Sequence, residues 1–191
     1  MRNVRPEFNF LHVREHVTTK CRMSKRNFKK EIESFDKKQL LGLIMDVYTK
    51  NTSAKEYLDF LFNPNDVEVL KSYKLKVREA FYPKRGYGCK LSKGKKAISD
   101  YRKLNPTPDS LIDLLLCYVE SGVDFTNDYG DIDENFYSSI EGVYDNALKM
   151  ISKVGLQNKY KDRAYQVTTK TENIGWGFHD AFCDCYYDIY D

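Results

Sequence analysis

The sequence lacks the features that mark membrane and secreted proteins. It has no run of about 18 apolar residues, which a membrane-spanning helix needs, and its N-terminal residues lack the apolar core of a secretory signal. Five cysteines are an odd number without the spacing of a disulfide framework, which is typical of a reducing compartment. We therefore expect a cytoplasmic protein with no membrane association.

Residues that interrupt helices are also scarce. Only five prolines and ten glycines occur in 191 residues, and no stretch alternates apolar and polar residues between turn signals as a strand would. Aromatic residues make up 14% of the chain, which argues against disorder. We predict an all-α protein of about seven to nine helices, arranged as an irregular multi-helix bundle or a short α-solenoid of antiparallel helical hairpins.

Start and stop signals divide the chain into helices from Ser24 onward. Asp36 and Ser53 each carry Gln or Glu three residues later, which is the capping-box pattern of a helix N-terminus. Apolar residues recur at helical spacing after each signal. The other predicted boundaries are N-caps at Ser92, Thr107 and Asp131 or Asp133, stops at Gly122 and Gly155, and two last helices around 157–168 and 176–189.

The first 22 residues differ from the rest of the chain. They show no sustained helical period, and "MSK" at Met23 resembles a natural start. We predict that residues 1–22 are a poorly ordered N-terminal extension. Residues 23–191 are predicted to form a single helical domain.

Charge is segregated along the chain. Residues 1–22 hold five Lys/Arg and two acids, which accounts for the whole formal net charge of +3. From Lys71 to Lys103 there are twelve Lys/Arg and two acids, whereas Asn105–Leu148 holds ten acids and no Lys or Arg. This division predicts one basic and one acidic surface.

The stretch "RGYGCKLSKGKKAISDY" (Arg85–Tyr101) resembles a phosphate-binding loop at first sight. A P-loop needs G-x4-G-K-[ST] after a strand and before a helix. Gly88 and Gly94 enclose five residues instead of four, and Lys96 stands where the Mg²⁺-binding Ser or Thr belongs. The dinucleotide pattern G-x-G-x-x-G fails as well, because Leu91 takes the third glycine position. We predict no nucleotide site here.

The same stretch still predicts a basic surface. Its lysines, with the N-terminus of the following helix, would attract an anion, and interleaved tyrosines at positions 82, 87 and 101 are typical of a nucleic-acid surface. The alternatives are that the lysines face the acidic block of the same chain, that they face another copy of it, or that they bind a different anionic partner. The candidate residues are Lys84, Arg85, Lys90, Lys93, Lys95, Lys96, Arg102 and Lys103.

Two groups of residues resemble metal ligands. "HVREH" (His12–His16) matches the H-x-x-E-H zinc peptidase signature, but it lies in the predicted extension. His179 and Cys183 would share a helix face, while Cys185 points elsewhere and no fourth ligand follows the spacing of a structural zinc site. We predict buried thiols and a surface histidine instead.

The acidic stretch "DFTNDYGDIDEN" resembles a calcium loop. Tyr129 stands where the invariant glycine belongs and Asn135 where the bidentate Glu belongs. Acids in this stretch are therefore expected to cap a helix. We predict no metal and no cofactor.

The single tryptophan, Trp176, is expected to wedge into the core at a helix–helix corner, with a surface-binding role as the alternative.

Four runs carry a family resemblance: "LLGLIMDVYTKN", "AKEYLDFLFNPN", "YKLKVREAFYP" and "KLSKGKKAISDYRKL". Together they resemble an uncharacterised all-helical bacterial family, common in Bacteroidota, which is domain-of-unknown-function family number 6155. The resemblance covers roughly Met23 to Asp191. It implies a compact helical domain that begins near Met23, and it brings no activity, cofactor or catalytic residue.

No catalytic constellation emerges from these residues. The leading hypothesis is a non-enzymatic cytosolic binding or adaptor module with segregated basic and acidic surfaces, which bind a protein partner or a second copy of the chain. The alternative is a nucleic-acid-binding protein that uses Lys84–Lys103. A metal-dependent enzyme is the remote alternative.

Overall fold

The computed structural model describes residues 23–62, 66–86 and 88–191, and these residues form nine α-helices and no strand. The predicted all-α fold and helix number are confirmed. The helices are α1 (Lys25–Glu33), α2 (Lys37–Lys50), α3 (Thr52–Phe62), α4 (Asp66–Phe81), α5 (Leu91–Lys103), α6 (Pro108–Tyr129), α7 (Glu134–Val154), α8 (Gln157–Thr169) and α9 (Phe178–Tyr190). Within the described residues, no helix combines the length and the apolar character that a membrane crossing requires.

The chain divides into two compact units after Thr52. In the described part of the first unit, α1 and α2 have no buried residue. The capping box at Asp36 is confirmed, because the Gln39 backbone N–H donates to Asp36 Oδ1 at 2.7 Å and the Asp36 N–H donates to Gln39 Oε1 at 2.8 Å. The single domain over residues 23–191 stays a prediction, and the predicted extension 1–22 lies outside the described residues.

The second unit, Ser53–Asp191, is built around α6. This helix contacts α4, α5, α7 and α8, while α9 packs on α7 and α8. Thirteen of its residues are buried, as the apolar sequence "LIDLLLCYV" predicts. The Thr107 cap is confirmed, because its hydroxyl accepts a hydrogen bond from the Ser110 backbone N–H at 3.2 Å.

Three helix boundaries that were predicted from local sequence patterns are wrong, at Gly122, Ser92 and Ser53. The predicted stop at Gly122 lies inside α6, which continues to Tyr129 because Gly122 is buried against α7. Ser92 and Ser53 are each the second residue of their helices rather than N-caps. At α5 the N-cap is Lys90, which makes no side-chain cap. The Asp133 cap and the Gly155 stop are confirmed.

Buried tyrosines form much of the core of the second unit. Tyr118 and Tyr144 are fully buried, and each hydroxyl has a hydrogen-bond partner: Ser139 Oγ at 3.1 Å for Tyr118, and the Ala164 carbonyl at 3.1 Å for Tyr144. Burial raises the pKa of the Tyr118 phenol from its ordinary value of 10.0 to about 12. Folding therefore favours the neutral form of the Tyr118 phenol over its ionised form.

Alkaline pH is expected to weaken the fold through these phenols. Since the pKa of Tyr118 is higher in the folded chain than in the unfolded chain, its contribution to stability is complete below pH 10.0 and is lost as the pH rises through about 12. The measurement is the free energy of unfolding in urea across this window. Tyr118→Phe, which has no phenol to ionise, should lose less stability over the same window. Equal losses in both proteins would contradict this assignment.

Candidate functional site

The glycines of the stretch Arg85–Tyr101 serve two different purposes. Gly86 and Gly88 have φ values of +89° and +79° and lie in the loop between α4 and α5, where a left-handed backbone is needed. Gly94 lies inside α5, and a Cβ atom there would stand 2.7 Å from Tyr118 Cε2. It is a close-packing residue and not a flexible joint. A helix, α4, precedes the loop where a P-loop requires a strand.

Helix α5 presents its basic residues to solvent because its opposite face is apolar. Ala97, Ile98 and Tyr101 are buried, as their spacing predicts, and pack in the core of the second unit. All eight predicted anion-binding residues are exposed. The structure thus brings the predicted basic residues together on α5 and on the loop that precedes it.

Two grooves flank α5. The groove against α4 has a volume of about 560 Å³, and Lys76, Lys84, Arg85, Lys93 and Lys96 line it. Its acidic lining residues are Glu79 and Asp100. Lys76, which lies one α4 turn before Ala80, was not among the residues predicted from the sequence. Its position within the lysine-rich stretch Lys71–Lys103 could have indicated it. Both Lys76 and Glu79, three residues later, line the groove between α4 and α5.

The groove on the other side of α5 has a volume of about 610 Å³ and faces α7. Lys95, Arg102 and Lys103 line its α5 wall. The α7 wall is polar, with Ser138, Ser139 and Asn146 among its residues. Arg102 Nη2 donates to Asn146 Oδ1 at 2.8 Å. Hydroxyl and amide groups beside three cations are suited to hold phosphate oxygens.

Half of the predicted basic residues have no hydrogen-bonding side-chain partner within residues 23–62, 66–86 and 88–191. Lys96 and Lys103 bind the two oxygens of Asp100 at 2.6 and 2.7 Å, and their hydrogen bonds lower the pKa of that carboxyl. Lys84 pairs with Glu79 at 2.9 Å. Arg102 is bound to the neutral Asn146 side chain. Among the residues that the structure describes, no ion pair reaches the remaining four cations, which are Arg85, Lys90, Lys93 and Lys95.

The acidic block, Asn105–Leu148, takes its partners from elsewhere. Helix α8 supplies Lys159 to Asp109 at 2.6 Å and Arg163 to both Asp113 and Glu120 at 2.6 Å. Further pairs join Lys170 to Asp124 at 2.8 Å, Lys74 to Asp113 at 2.6 Å and Lys149 to Asp145 at 2.8 Å. Charge matching within the chain therefore exists, but α8 provides three of these six pairs and Lys84–Lys103 provides none of them.

Tyr82 and Tyr101, the described tyrosines near the basic residues, do not form a stacking surface. Tyr101 is fully buried and donates to Asp66 Oδ1 at 2.7 Å. Tyr82 is 36% exposed and donates to Asp128 Oδ2 at 2.7 Å. Tyr87 lies outside the described residues. Periodicity placed Tyr101 on the inner face of α5, so its burial is consistent with the helix prediction and removes it from any base-stacking role.

The other candidate sites have structural roles where the structure describes them. His179 Nε2 lies 3.4 Å from Cys183 Sγ, and His179 Nδ1 lies 2.8 Å from Thr171 Oγ1. No group of three or more metal-binding side chains occurs within residues 23–62, 66–86 and 88–191. The "HVREH" motif lies outside these ranges.

The acidic stretch before α7 caps that helix, as its sequence predicts. Asp133 Oδ1 accepts a hydrogen bond from the Phe136 backbone N–H at 2.8 Å. Asp131 Oδ1 accepts one from the Tyr137 hydroxyl at 3.1 Å. Both aspartates therefore hold the chain at the start of α7, and the calcium-loop alternative receives no support from their contacts.

The predicted burial of Trp176 is wrong. Its side chain is 68% exposed, because Trp176 and Gly177 both have left-handed backbone conformations, with φ values of +63° and +67°. Two such residues in succession turn the chain into α9 and leave the indole outside the core. Phe178, two residues later, takes the buried position.

A family model described as a family of unknown function, DUF6155, matches residues 23–191. No curated protein and no solved structure matches the chain.

Proposed function

Since this chain belongs to the DUF6155 family, a family of unknown function, we propose from its surface that it is a non-enzymatic binding protein that holds the phosphate backbone of a nucleic acid on α5. Lysines and arginines that bind phosphates supply most of the affinity of such proteins. The two grooves beside α5 would follow the sugar–phosphate chain. We expect no stacking of bases on Tyr82 or Tyr101, because both hydroxyls are bound to carboxylates of the fold.

One observation carries this proposal: Arg85, Lys90, Lys93 and Lys95 form no ion pair with any residue that the structure describes. The acidic block would be the natural partner of these lysines, yet its described ion pairs are made with other cations: α8 and Lys74 bind Asp109, Asp113 and Glu120. Exposed cations without carboxylates attract phosphate strongly at low salt, since a bound polyanion releases its counterions.

Charge reversal on α5 is expected to weaken nucleic-acid binding about tenfold. Lys93→Glu/Lys95→Glu removes two unpaired cations, and the removal of each lysine–phosphate pair should reduce the slope of log affinity against log salt by about 0.9. The measurement is fluorescence anisotropy of a short labelled DNA duplex across a series of KCl concentrations. Circular dichroism would verify that the variant is folded.

The matched control is Lys153→Glu/Lys161→Glu, which changes the net charge by the same amount on α7 and α8. Both of these lysines are exposed. The control should keep most of the affinity and the salt slope of the original protein. Equal losses in the two double variants would show attraction by net charge alone, and binding that does not respond to salt would contradict the proposal.

A further inference from the structure

The connection between α8 and α9 places the only tryptophan of the chain on the surface of the second unit. The exposed fraction of Trp176 is 68%, and its φ of +63° is rare for a bulky residue. Leaving an indole in water forgoes the burial energy that a core position would provide. A partner that covers the indole would recover this energy.

Trp176 borders a cavity of about 380 Å³ beside the N-terminal half of α7. Tyr137 and Phe178 form its buried aromatic part, with their ring centroids 4.8 Å apart. Two carboxylates, Glu134 and Glu141, also line it, and no Lys or Arg is among the described residues of its wall. The cavity thus combines aromatic surface with negative charge.

The two carboxylates are spaced along one face of α7. They are seven residues apart, which corresponds to about 10.5 Å along the helix axis. A single metal ion needs oxygen ligands at about 2.0–2.6 Å, so this spacing is unsuited to a metal. It suits an extended organic cation that lies between the carboxylates and the indole.

Glu141 has no partner in the part of the chain that the structure describes, although it is only partly exposed. Asp113 and Glu120, which are also partly buried, are both paired with Arg163. Glu134 is favoured by the α7 dipole, because it lies in the first turn, but Glu141 is in the middle of the helix. A partly desolvated carboxylate without a cation is stabilised by an external one.

We propose that this cavity binds an arginine side chain of a partner protein. A guanidinium is planar and weakly hydrated, so it stacks on the indole of Trp176 and donates to a carboxylate at the same time. Its methylene stem covers the aromatic rings. The proposal is independent of the phosphate-binding role of α5, since it uses other residues and a cation in place of an anion.

The test uses the fluorescence of Trp176, which reports only on this cavity because the chain has one tryptophan. The full-length protein is titrated with acetyl-Gly-Arg-Gly-amide and, separately, with the same peptide carrying citrulline, the neutral isostere of arginine. We expect a saturable change with the arginine peptide and none with citrulline. Equal responses to both peptides, or no saturable response to arginine, would overturn the proposal.

Charge-neutral variants locate the site. Glu134→Gln/Glu141→Gln should weaken arginine binding about tenfold, since it removes the charged hydrogen bond to a carboxylate and leaves only the cation–π contact with Trp176. The matched control is Glu172→Gln/Asp184→Asn, which removes two exposed carboxylates outside the cavity wall. This control should bind as the original protein does. Unchanged binding by the first variant, or an equal loss in the control, would place the arginine elsewhere and overturn the assignment.

Discussion

Arg163→Met is expected to lower the free energy of unfolding by about 3 kcal/mol, because the replacement leaves the partly buried Glu120 carboxylate without its described cation and leaves Asp113 with Lys74 alone. Arg163 Nε donates to Glu120 Oε1 at 2.6 Å, and its Nη1 donates to Asp113 Oδ1 at 2.6 Å. The three side chains are between 25% and 29% exposed. Methionine keeps most of the packing volume but supplies no donor.

The pKa values of the network support this expectation. Burial alone would raise the pKa of the Asp113 carboxyl, but hydrogen bonds from Lys74 and Arg163 hold it below its ordinary value of 3.8. A carboxyl with a lowered folded pKa contributes stability above its unfolded pKa, and this contribution is lost as the pH falls through the folded value. The difference between the variant and the original protein should therefore shrink below pH 3.8.

The measurement is urea unfolding at neutral pH and at a series of acidic pH values. Arg102→Met is the matched control, since Arg102 is exposed and its one described hydrogen bond goes to the neutral side chain of Asn146. Exposed polar contacts contribute about 0.5 kcal/mol or less. A loss at Arg163 no larger than at Arg102 would mean that the network does not stabilise the fold.

Two helical glycines are expected to respond in opposite directions to the same substitution. Alanine is favoured over glycine in a helix by about 1 kcal/mol. Gly142→Ala on α7 should gain most of this, because a Cβ there meets no atom within 4 Å. Gly122→Ala on α6 should instead lose about 1–2 kcal/mol, because its Cβ would overlap Ile140 Cδ1 and this overpacking outweighs the gain.

Thermal or urea unfolding of the two variants measures this difference of about 2–3 kcal/mol. Ile140 is fully buried, so its side chain has little room to move away. The double variant Gly122→Ala/Ile140→Val removes the nearest methyl group and should recover part of the lost stability, with a coupling of about 1 kcal/mol. A Gly122→Ala protein as stable as Gly142→Ala would exclude close packing of α6 and α7 at this point.

Neither prediction changes a residue that lines the cavity beside Trp176, and only the controls at Arg102 and Gly142 touch the groove between α5 and α7. Loss of stability in the Arg163 and Gly122 variants is therefore separable from loss of binding. This matters for the charge pattern, because Lys159 and Arg163 of α8 are bound to carboxylates whereas Arg85, Lys90, Lys93 and Lys95 have no ion pair among the described residues.

Local signals were reliable where they depend on only a few neighbouring residues. The capping box at Asp36, the Thr107 cap and the Gly155 stop are formed by contacts within one turn of a helix, so their residues suffice to predict them. The inward face of α5 also followed from its period. The predicted helix end at Gly122 was wrong because a glycine that ends a helix and a glycine at a close helix–helix contact cannot be told apart from the neighbouring sequence.

The amino-acid sequence by itself determined that the chain is helical, where most helices begin and end, and that its basic and acidic residues occupy separate blocks. These properties depend on the period of apolar residues and on composition, which need no knowledge of distant contacts. Only the tertiary structure decided which charges meet. Lys159 and Arg163 of α8 bind Asp109, Asp113 and Glu120, which lie about 40–50 residues earlier in the chain. Arg85, Lys90, Lys93 and Lys95 have no ion pair among the described residues. The exposure of Trp176 also depends on the tertiary structure, because the turn between α8 and α9 buries Phe178 in the core and leaves Trp176 on the surface.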